Sequence, residues 1–391
     1  MCVSLPHRNQ QDLRAATIPV TAVVIPYVFL PPKNGGHQAG FGLCEALGNH
    51  LPTICISSFG NAPGDYAFKL GNAFGGGMSK YFSPVAAWRC YRLLKTSRAQ
   101  YCIAQQPFIV PLLLPLLALT GTALLVYAHN IEYQRFRSMN KWWWRIVWAV
   151  EYLVYRLASQ VLFISSEERE TAIKVFGLNP SKCIDVPYGV ERREPPPAPD
   201  RDAARRAVAA EHGFSESERW ILFFGPQNYQ PNLEAVLFIA RELAPLLKDQ
   251  SKENYRILIC GGSLPPVYEK LEAWRSYNLN YLGFVEDIDR YVLAADVVLN
   301  PIVSGAGVKT KVLEAIALGR TVVSTDSGAS GIRRDLCGDK LIVVSDHDKD
   351  AFAREILQTL GQENATTPVA FFDYYYRDNV VKALLPILQN G

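Results

Sequence analysis

The sequence predicts an α/β protein of two tandem Rossmann-like domains, each a doubly wound parallel sheet, with a ligand cleft between them. Three observations lead there. Short apolar runs alternate with helical stretches along the chain, the pattern of strand–helix–strand crossovers and hence of parallel sheets. At 391 residues the chain exceeds the size at which a single hydrophobic core usually stops growing. A proline-rich stretch, Arg192-Arg193-Glu194-Pro195-Pro196-Pro197-Ala198-Pro199, divides it near the middle and reads as a stiff linker.

In the first half, Val20–Pro26 reads as a strand, followed by a loop at Gly35-Gly36 and a helix over Gly40–Gly48. Pro52–Ser57 is a strand, Pro84–Thr96 a helix and Tyr101–Ala104 a strand. The apolar segment Pro107–Ala128 has the length of a membrane span. Its prolines and Thr120-Gly121-Thr122 instead divide it into a buried helix (108–119), a turn and the strand Ala123–Tyr127. An aromatic helix then runs to Ala158, and the strand Gln160–Ile164 follows. Pro187-Tyr188-Gly189-Val190 closes this half.

The second half repeats the pattern, with Trp220–Phe224, Tyr255–Cys260, Tyr281–Leu282, Val297–Leu299, Thr321–Ser324 and Leu341–Val344 as strands. Asn232–Leu247 and Val267–Tyr277 read as helices, and a last helix over Tyr374–Leu388 has no place in the second sheet. The expected domains are 1–195 and 196–372, with 373–391 crossing back to the first.

Composition narrows the function. Hydrophobic residues make up 49% and charged residues 20%, which describes a folded globular protein. The net charge of +3 hides an asymmetry: residues 1–195 hold 19 Lys/Arg against 11 Asp/Glu, the remainder 21 against 26. A basic first domain suits an anionic surface, such as lipid headgroups or a phosphorylated acceptor. No zinc-finger spacing, RNP-type motif or basic helix points to nucleic acid. The eight cysteines are scattered, several within apolar runs, as in a reduced, cytoplasmic protein. The first twenty residues lack the apolar core of a signal peptide. In Lys141-Trp142-Trp143-Trp144-Arg145 the three adjacent tryptophans span about 200° of a helix, too wide for one core, so at least one is expected at the surface. That leaves a core-facing helix and a helix lying on the inner face of a membrane as the two readings.

The chemistry concentrates in Asn300–Gly319. After the strand comes a small-residue loop, Ser304-Gly305-Ala306-Gly307-Val308-Lys309-Thr310, and a helix expected to begin near Gly307. Such a loop lets backbone amides approach an anion, and the helix N-terminus adds partial positive charge. At 100° per residue Gly307, Lys311 and Glu314 would share one face, presenting a cation to a phosphate and a carboxylate to sugar hydroxyls. The alternative is a solvent-facing Lys–Glu pair. Asp287-Ile288-Asp289 and Asp346-His347-Asp348 imitate a metal-holding Asp-x-Asp motif, but the first sits where a helix cap belongs and the second in a polar loop, so neither metal nor cofactor is expected.

The string Gly305-x-Gly307-x-Lys309-x-Lys311-x-x-Glu314-Ala315, followed by Gly319-x-Thr321-Val322-Val323-Ser324-Thr325, resembles the donor-site signature of GT-B glycosyltransferases, more narrowly the retaining group 1/family 4 type. Leu282-Gly283-Phe284-Val285-Glu286-Asp287-Ile288 is similar to that family's base-contacting turn, Phe223-Phe224-Gly225-Pro226-Gln227-Asn228 to its glycine loop, and Pro187-Tyr188-Gly189-Val190 to the motif ending its first domain. The resemblance implies hexosyl transfer from a nucleotide-diphosphate sugar to a hydroxyl of a glycan or lipid-linked acceptor. It implies catalytic roles for His129, Lys311 and Glu314. Donor contacts would come from Gly225, Asn228, Gly262, Val285, Gly305, Gly307, Val308, Lys309 and Thr310, and acceptor or phosphate contacts from Gly35, Gly36 and His37. For His129 and for the Gly35-Gly36 turn, a purely structural role stays open.

Two departures stand out. Ala306 occupies a position where many members carry a second glutamate, and Asn228-Tyr229-Gln230 lacks their diphosphate-gripping arginine and lysine. They leave two other readings, a non-catalytic nucleotide-sugar-binding protein and a nucleotide-sugar 2-epimerase.

Overall fold

The computed structural model describes residues 18–32, 35–251, 254–362 and 365–390; Cys2 and most of the polar first twenty residues lie outside them. The first domain contains β1 (Val20–Ile25), α1 (Gly35–Gly48), β2 (Thr53–Ser58), β3 (Lys69–Phe74), α2 (Pro84–Ser97), β4 (Ala99–Ala104), α3 (Val110–Thr120), β5 (Ala123–Ala128), α4 (Glu132–Ser138), α5 (Trp144–Leu157), β6 (Gln160–Phe163), α6 (Ser166–Phe176) and β7 (Cys183–Asp185). Its strands form one parallel sheet in the order β3-β2-β1-β4-β5-β6-β7. The order reverses at β1/β4, so the carboxyl ends of these strands flank the natural crevice.

The second domain contains α7 (Ala198–His212), β8 (Arg219–Phe224), α8 (Gln230–Phe238), α9 (Ala244–Gln250), β9 (Tyr255–Cys260), β10 (Leu279–Gly283), α10 (Ile288–Ala294), β11 (Val297–Asn300), α11 (Thr310–Ala317), β12 (Thr321–Thr325), β13 (Leu341–Val344) and α12 (Lys349–Leu360). Its parallel sheet runs β10-β9-β8-β11-β12-β13. Both sheets are buried on two faces, as their near-continuous apolar strands require. The chain then returns through α13 (Val369–Tyr375), α14 (Arg377–Lys382) and α15 (Leu385–Asn390). Asp378 of α14 meets His50 at 2.7 Å, and Val380, Leu384 and Leu388 join the core beneath Ala39, Leu43 and Leu47 of α1.

Several expected elements take another form. Gly35 and Gly36 lie in the first turn of α1 and not in a loop. Val267–Tyr277 is no regular helix: Glu269, Lys270 and Leu271 adopt left-handed φ values of 45, 53 and 63° and break it into tight turns. Asn232–Leu247 contains a wider turn at Ile239–Leu243 between α8 and α9. The aromatic stretch before Ala158 splits at Asn140, whose φ of 52° ends any helix. Tyr374–Leu388 is three short helices; extended φ/ψ at Tyr376 interrupts it where Tyr376 bridges to Val190.

Pro107–Ala128 folds as a short 3₁₀ turn, α3 and β5, and no helix among the described residues is long and apolar enough to cross a membrane. The seven described cysteines are all buried and none forms a disulfide.

Candidate active site

The loop after β11 passes through two glycines in the left-handed region, Gly305 and Gly307, both at φ 83°. A side chain there would be strained, and it would also collide. A Cβ at Gly305 would lie 2.7 Å from the Tyr229 hydroxyl, and one at Gly307 would overlap the Asn130 side chain. Gly307 is therefore one of the points where the second domain touches the first. Helix α11 begins at Thr310, three residues later than the sequence suggested, so Gly307 does not share a helix face with Lys311 and Glu314.

Lys309 is buried and turns back on its own loop, its Nζ donating to the carbonyls of Gly305 (3.0 Å) and Gly307 (2.9 Å). Burial lowers its pKa to about 8 against the pull of Glu168 across the cleft. Lys311 donates to the Phe224 carbonyl (2.7 Å) and to Asn232 Oδ1 (3.0 Å), with its ammonium 4.3 Å from the centre of the Phe223 ring. Burial first, then Lys309, lowers its pKa to about 7. An ammonium has three N–H donors, and two are used in each lysine, leaving one for an incoming anion. This is not the solvent-facing Lys–Glu pair: Glu314 accepts a 2.5 Å hydrogen bond from the Tyr188 hydroxyl, and burial raises its pKa.

Across the cleft, Gly35 leaves no room for a side chain because Thr310 stands there. The N-termini of α1 and α11 thus face each other, and their partial positive charges converge on one space. His37, in the first turn of α1, stacks on Tyr27 (centroids 5.7 Å apart, 24° between planes). His129, just after β5, packs against Tyr127 at 4.4 Å; its Nε2 has no hydrogen-bond partner among the described residues. Burial lowers its pKa to about 4, so the ring is neutral at neutral pH and its unpartnered Nε2 can share a hydrogen bond with a ligand. The backbone of His129 borders Gly307. The structure thus brings Gly35, His129, Gly307, Val308, Lys309 and Thr310 together where the domains meet.

The glycine loop forms a second wall. Gly225 ends β8 at φ 140°, with Asn232 packed against it. Gln227 is buried, donates from Nε2 to the Gly225 carbonyl (2.7 Å) and from its amide to the Gly262 carbonyl (2.9 Å). Asn228 is exposed with no side-chain hydrogen-bond partner among the described residues, Val285 is half-buried against the core, and Phe284 beside Gly262 is 80% exposed. Ala306 is exposed; the carboxylate nearest in the loop's hydrogen bonds is Glu234, which accepts from Ser304 at 2.6 Å.

Nothing in the sequence assigns a side-chain role to Glu168, Tyr188 or Glu234. Glu168 sits in the first turn of α6; burial, followed by Glu132 and Glu151, raises its pKa to about 8. Asp287 caps α10 and Asp348 caps α12, while Asp346 binds Ser327.

Residues 50–194 match the family model for Glycosyltransferase Family 4, and residues 218–362 match that for Glycosyl transferases group 1. A D-inositol 3-phosphate glycosyltransferase from Kineococcus radiotolerans is 32% identical over 114 residues, which span 29% of this chain but only a quarter of that relative's length. Among solved structures, the sucrose-phosphate synthase of Thermosynechococcus elongatus superposes with a TM-score of 0.71 over 95% of this chain and 98% of its own, at 14% identity. Anabaena HepE, in complex with UDP and glucose, superposes at 0.68 over 95% and 100%, at 11% identity. At such identities the likeness is one of fold. The two family models match successive halves in the expected order, each on its own parallel sheet. The chain belongs to the group 1/family 4 glycosyltransferases, with their GT-B pair of Rossmann-like domains.

Proposed function

We propose that the protein transfers a hexosyl group from a nucleotide-diphosphate sugar to a hydroxyl of a glycan or lipid-linked acceptor, with retention of configuration and without a divalent metal. The observation that carries this reading is the convergence of two helix N-termini, α1 and α11, with Lys309 and Lys311 behind one of them. That arrangement suits a diphosphate and supplies what a departing one needs: fixed positive charge already oriented in a water-poor site. Each lysine offers its third N–H, and the loop amides from Gly305 to Thr310 add to them. Glu314 accepts from the hydroxyls of the donor's ribose. His129, neutral and with Nε2 unpartnered, accepts from a hydroxyl of the transferred sugar or of the acceptor.

Two further observations bear on the acceptor and its place. Helices α2, α3 and α5 cover one face of the first sheet, their inner residues sharing one core. Outward they expose Val85, Trp88, Leu119, Ile146, Leu153 and Leu157, with Trp142 beside them 82% exposed. Their only carboxylate, Glu151, is fully buried, whereas Arg92, Lys95, Arg145 and Arg156 are exposed. An apolar surface whose exposed charges on these three helices are all basic fits peripheral contact with an anionic membrane, although the neighbouring α6 exposes Glu167 and Glu170. Buried, unbridged cysteines suit the reducing cytoplasmic side.

The test is a thermal-shift screen against UDP-, GDP- and ADP-hexoses, followed by turnover with the stabilising donor. Proton NMR of the product should show the donor's anomeric configuration, and chelation by EDTA should leave the rate unchanged. An inverted product, or loss of turnover on chelation, would overturn the retaining, metal-independent reading.

A further inference from the structure

We infer that Tyr188 is a positioning residue for the donor: it holds the Glu314 carboxylate in place for the ribose, and so ties donor recognition to the segment that joins the two domains. This rests on the reading of Glu314 as the ribose contact. The Tyr188 hydroxyl donates to Glu314 Oε1 at 2.5 Å, and Tyr188 is 4% exposed. One carboxylate oxygen is thereby engaged, while Oε2 and the remaining lone pairs stay available to two ribose hydroxyls.

Tyr188 is itself held on both sides. Before it, the Val186 carbonyl accepts from the Tyr127 hydroxyl at 3.0 Å. After it, Gly189 has no room for a side chain against Arg377; the Val190 amide donates to the Tyr375 carbonyl (2.7 Å) and its carbonyl accepts from the Arg377 amide (2.9 Å). With its backbone pinned by β5 before it and by the returning helices after it, and its ring buried, Tyr188 has little freedom to lose, the arrangement that preorganises a neighbouring polar group. Three charged groups act on this pair: Lys311 and Asp289 on Glu314, and Asp289 again, with Glu191, on Tyr188. Only the hydrogen bond from Tyr188 and the charge of Lys311 favour the ionised carboxylate; burial and Asp289 oppose it.

The experiment compares the full-length protein with Tyr188→Phe and Glu314→Gln, using whichever of UDP, GDP or ADP binds most tightly, together with its 2′,3′-dideoxy counterpart. The wild type should prefer the ribose form by about tenfold or more, because dideoxy binding leaves Oε2 of a buried carboxylate without the ribose donors and only Oε1 engaged by Tyr188. Tyr188→Phe should erase most of that preference by weakening the ribose form while leaving the dideoxy form unchanged. It should also move the acid limb of nucleotide binding to higher pH, since the ionised carboxylate has lost a donor. A Tyr188→Phe protein that weakens both nucleotides equally, or keeps the preference, overturns the inference. If Glu314→Gln keeps the preference, the ribose reading of Glu314 falls and the inference with it; if Glu314→Gln loses it and Tyr188→Phe keeps it, only the inference falls. Should the Phe variant not fold, Tyr188→His, too short to reach the carboxylate, carries the same expectation and the same refutation.

Discussion

Lys311 makes the sharpest test of the donor site, because its proton content should change when the diphosphate arrives. In the unliganded protein its pKa is lowered to about 7 and that of Lys309 to about 8, burial being the first cause of both. A diphosphate between the two helix N-termini would favour both charged forms and return them toward their usual range. At pH 8 a group of pKa 7 is about nine-tenths neutral and one of pKa 8 about half neutral, so binding should take up about 1.4 protons. Lys311→Met keeps much of the side-chain volume and removes about 0.9 of that uptake. Titration calorimetry of the best-binding nucleoside diphosphate, repeated in buffers of different ionisation enthalpy, reads the proton number directly. The sign follows from the depressed pKa values: affinity should fall as pH rises from 7 to 9, and the fall should be shallower in Lys311→Met. Uptake near zero, or the same uptake in the variant, would refute the view that the diphosphate meets this ammonium. Turnover gives an independent reading, since removing one fixed donor to a developing anion costs about 3–4 kcal/mol, a drop of about 100- to 1000-fold.

Other consequences concern the interface, the scaffold and the outer face. Gly307→Ala sets a side chain in the left-handed region and against Asn130, so it should lower stability by about 1–3 kcal/mol in thermal unfolding and weaken the nucleotide further. Asp296, 7% exposed, accepts from Arg201, Arg205, Arg219 and the Trp220 amide. Asp296→Ala should destabilise by about 3–5 kcal/mol, read by chemical denaturation, because it strands partly buried guanidinium groups. Trp142, Ile146 and Leu153 changed together to serine should reduce binding to vesicles rich in anionic lipid by at least about tenfold, and unchanged sedimentation would remove the membrane reading.

The parallel sheets and the donor loop were legible because their signals are local. Strands such as Trp220–Phe224 are continuous apolar runs, and Gly305-x-Gly307-x-Lys309 carries its backbone demands within five residues. What escaped was set by tertiary contact or by weak local signal. Strand β3 carries Gly71 and Asn72 and lies at a sheet edge, while β7 has only three residues. The partner of Glu314 is 126 positions away, and nothing near Tyr188 announces it. The orientation of Lys311 was equally hidden, since its acceptors at Phe224 and Asn232 belong to other elements. One expectation of exposure came from geometry alone: of the three adjacent tryptophans, Trp142 is exposed and Trp143 and Trp144 are half-buried.

The return of α13–α15 to the first domain makes that domain discontinuous: the second is, in effect, a long insertion between residue 191 and the helices that complete the first core. On the ribosome, residues 18–190 would emerge without Val380, Leu384 and Leu388 to cover α1, whereas β8 to α12 would already hold every strand of their sheet. The order of synthesis and the order of completion are therefore inverted. A fragment cut at the proline-rich linker should leave its first piece an open apolar face, and adding back a separate α13–α15 peptide should close it.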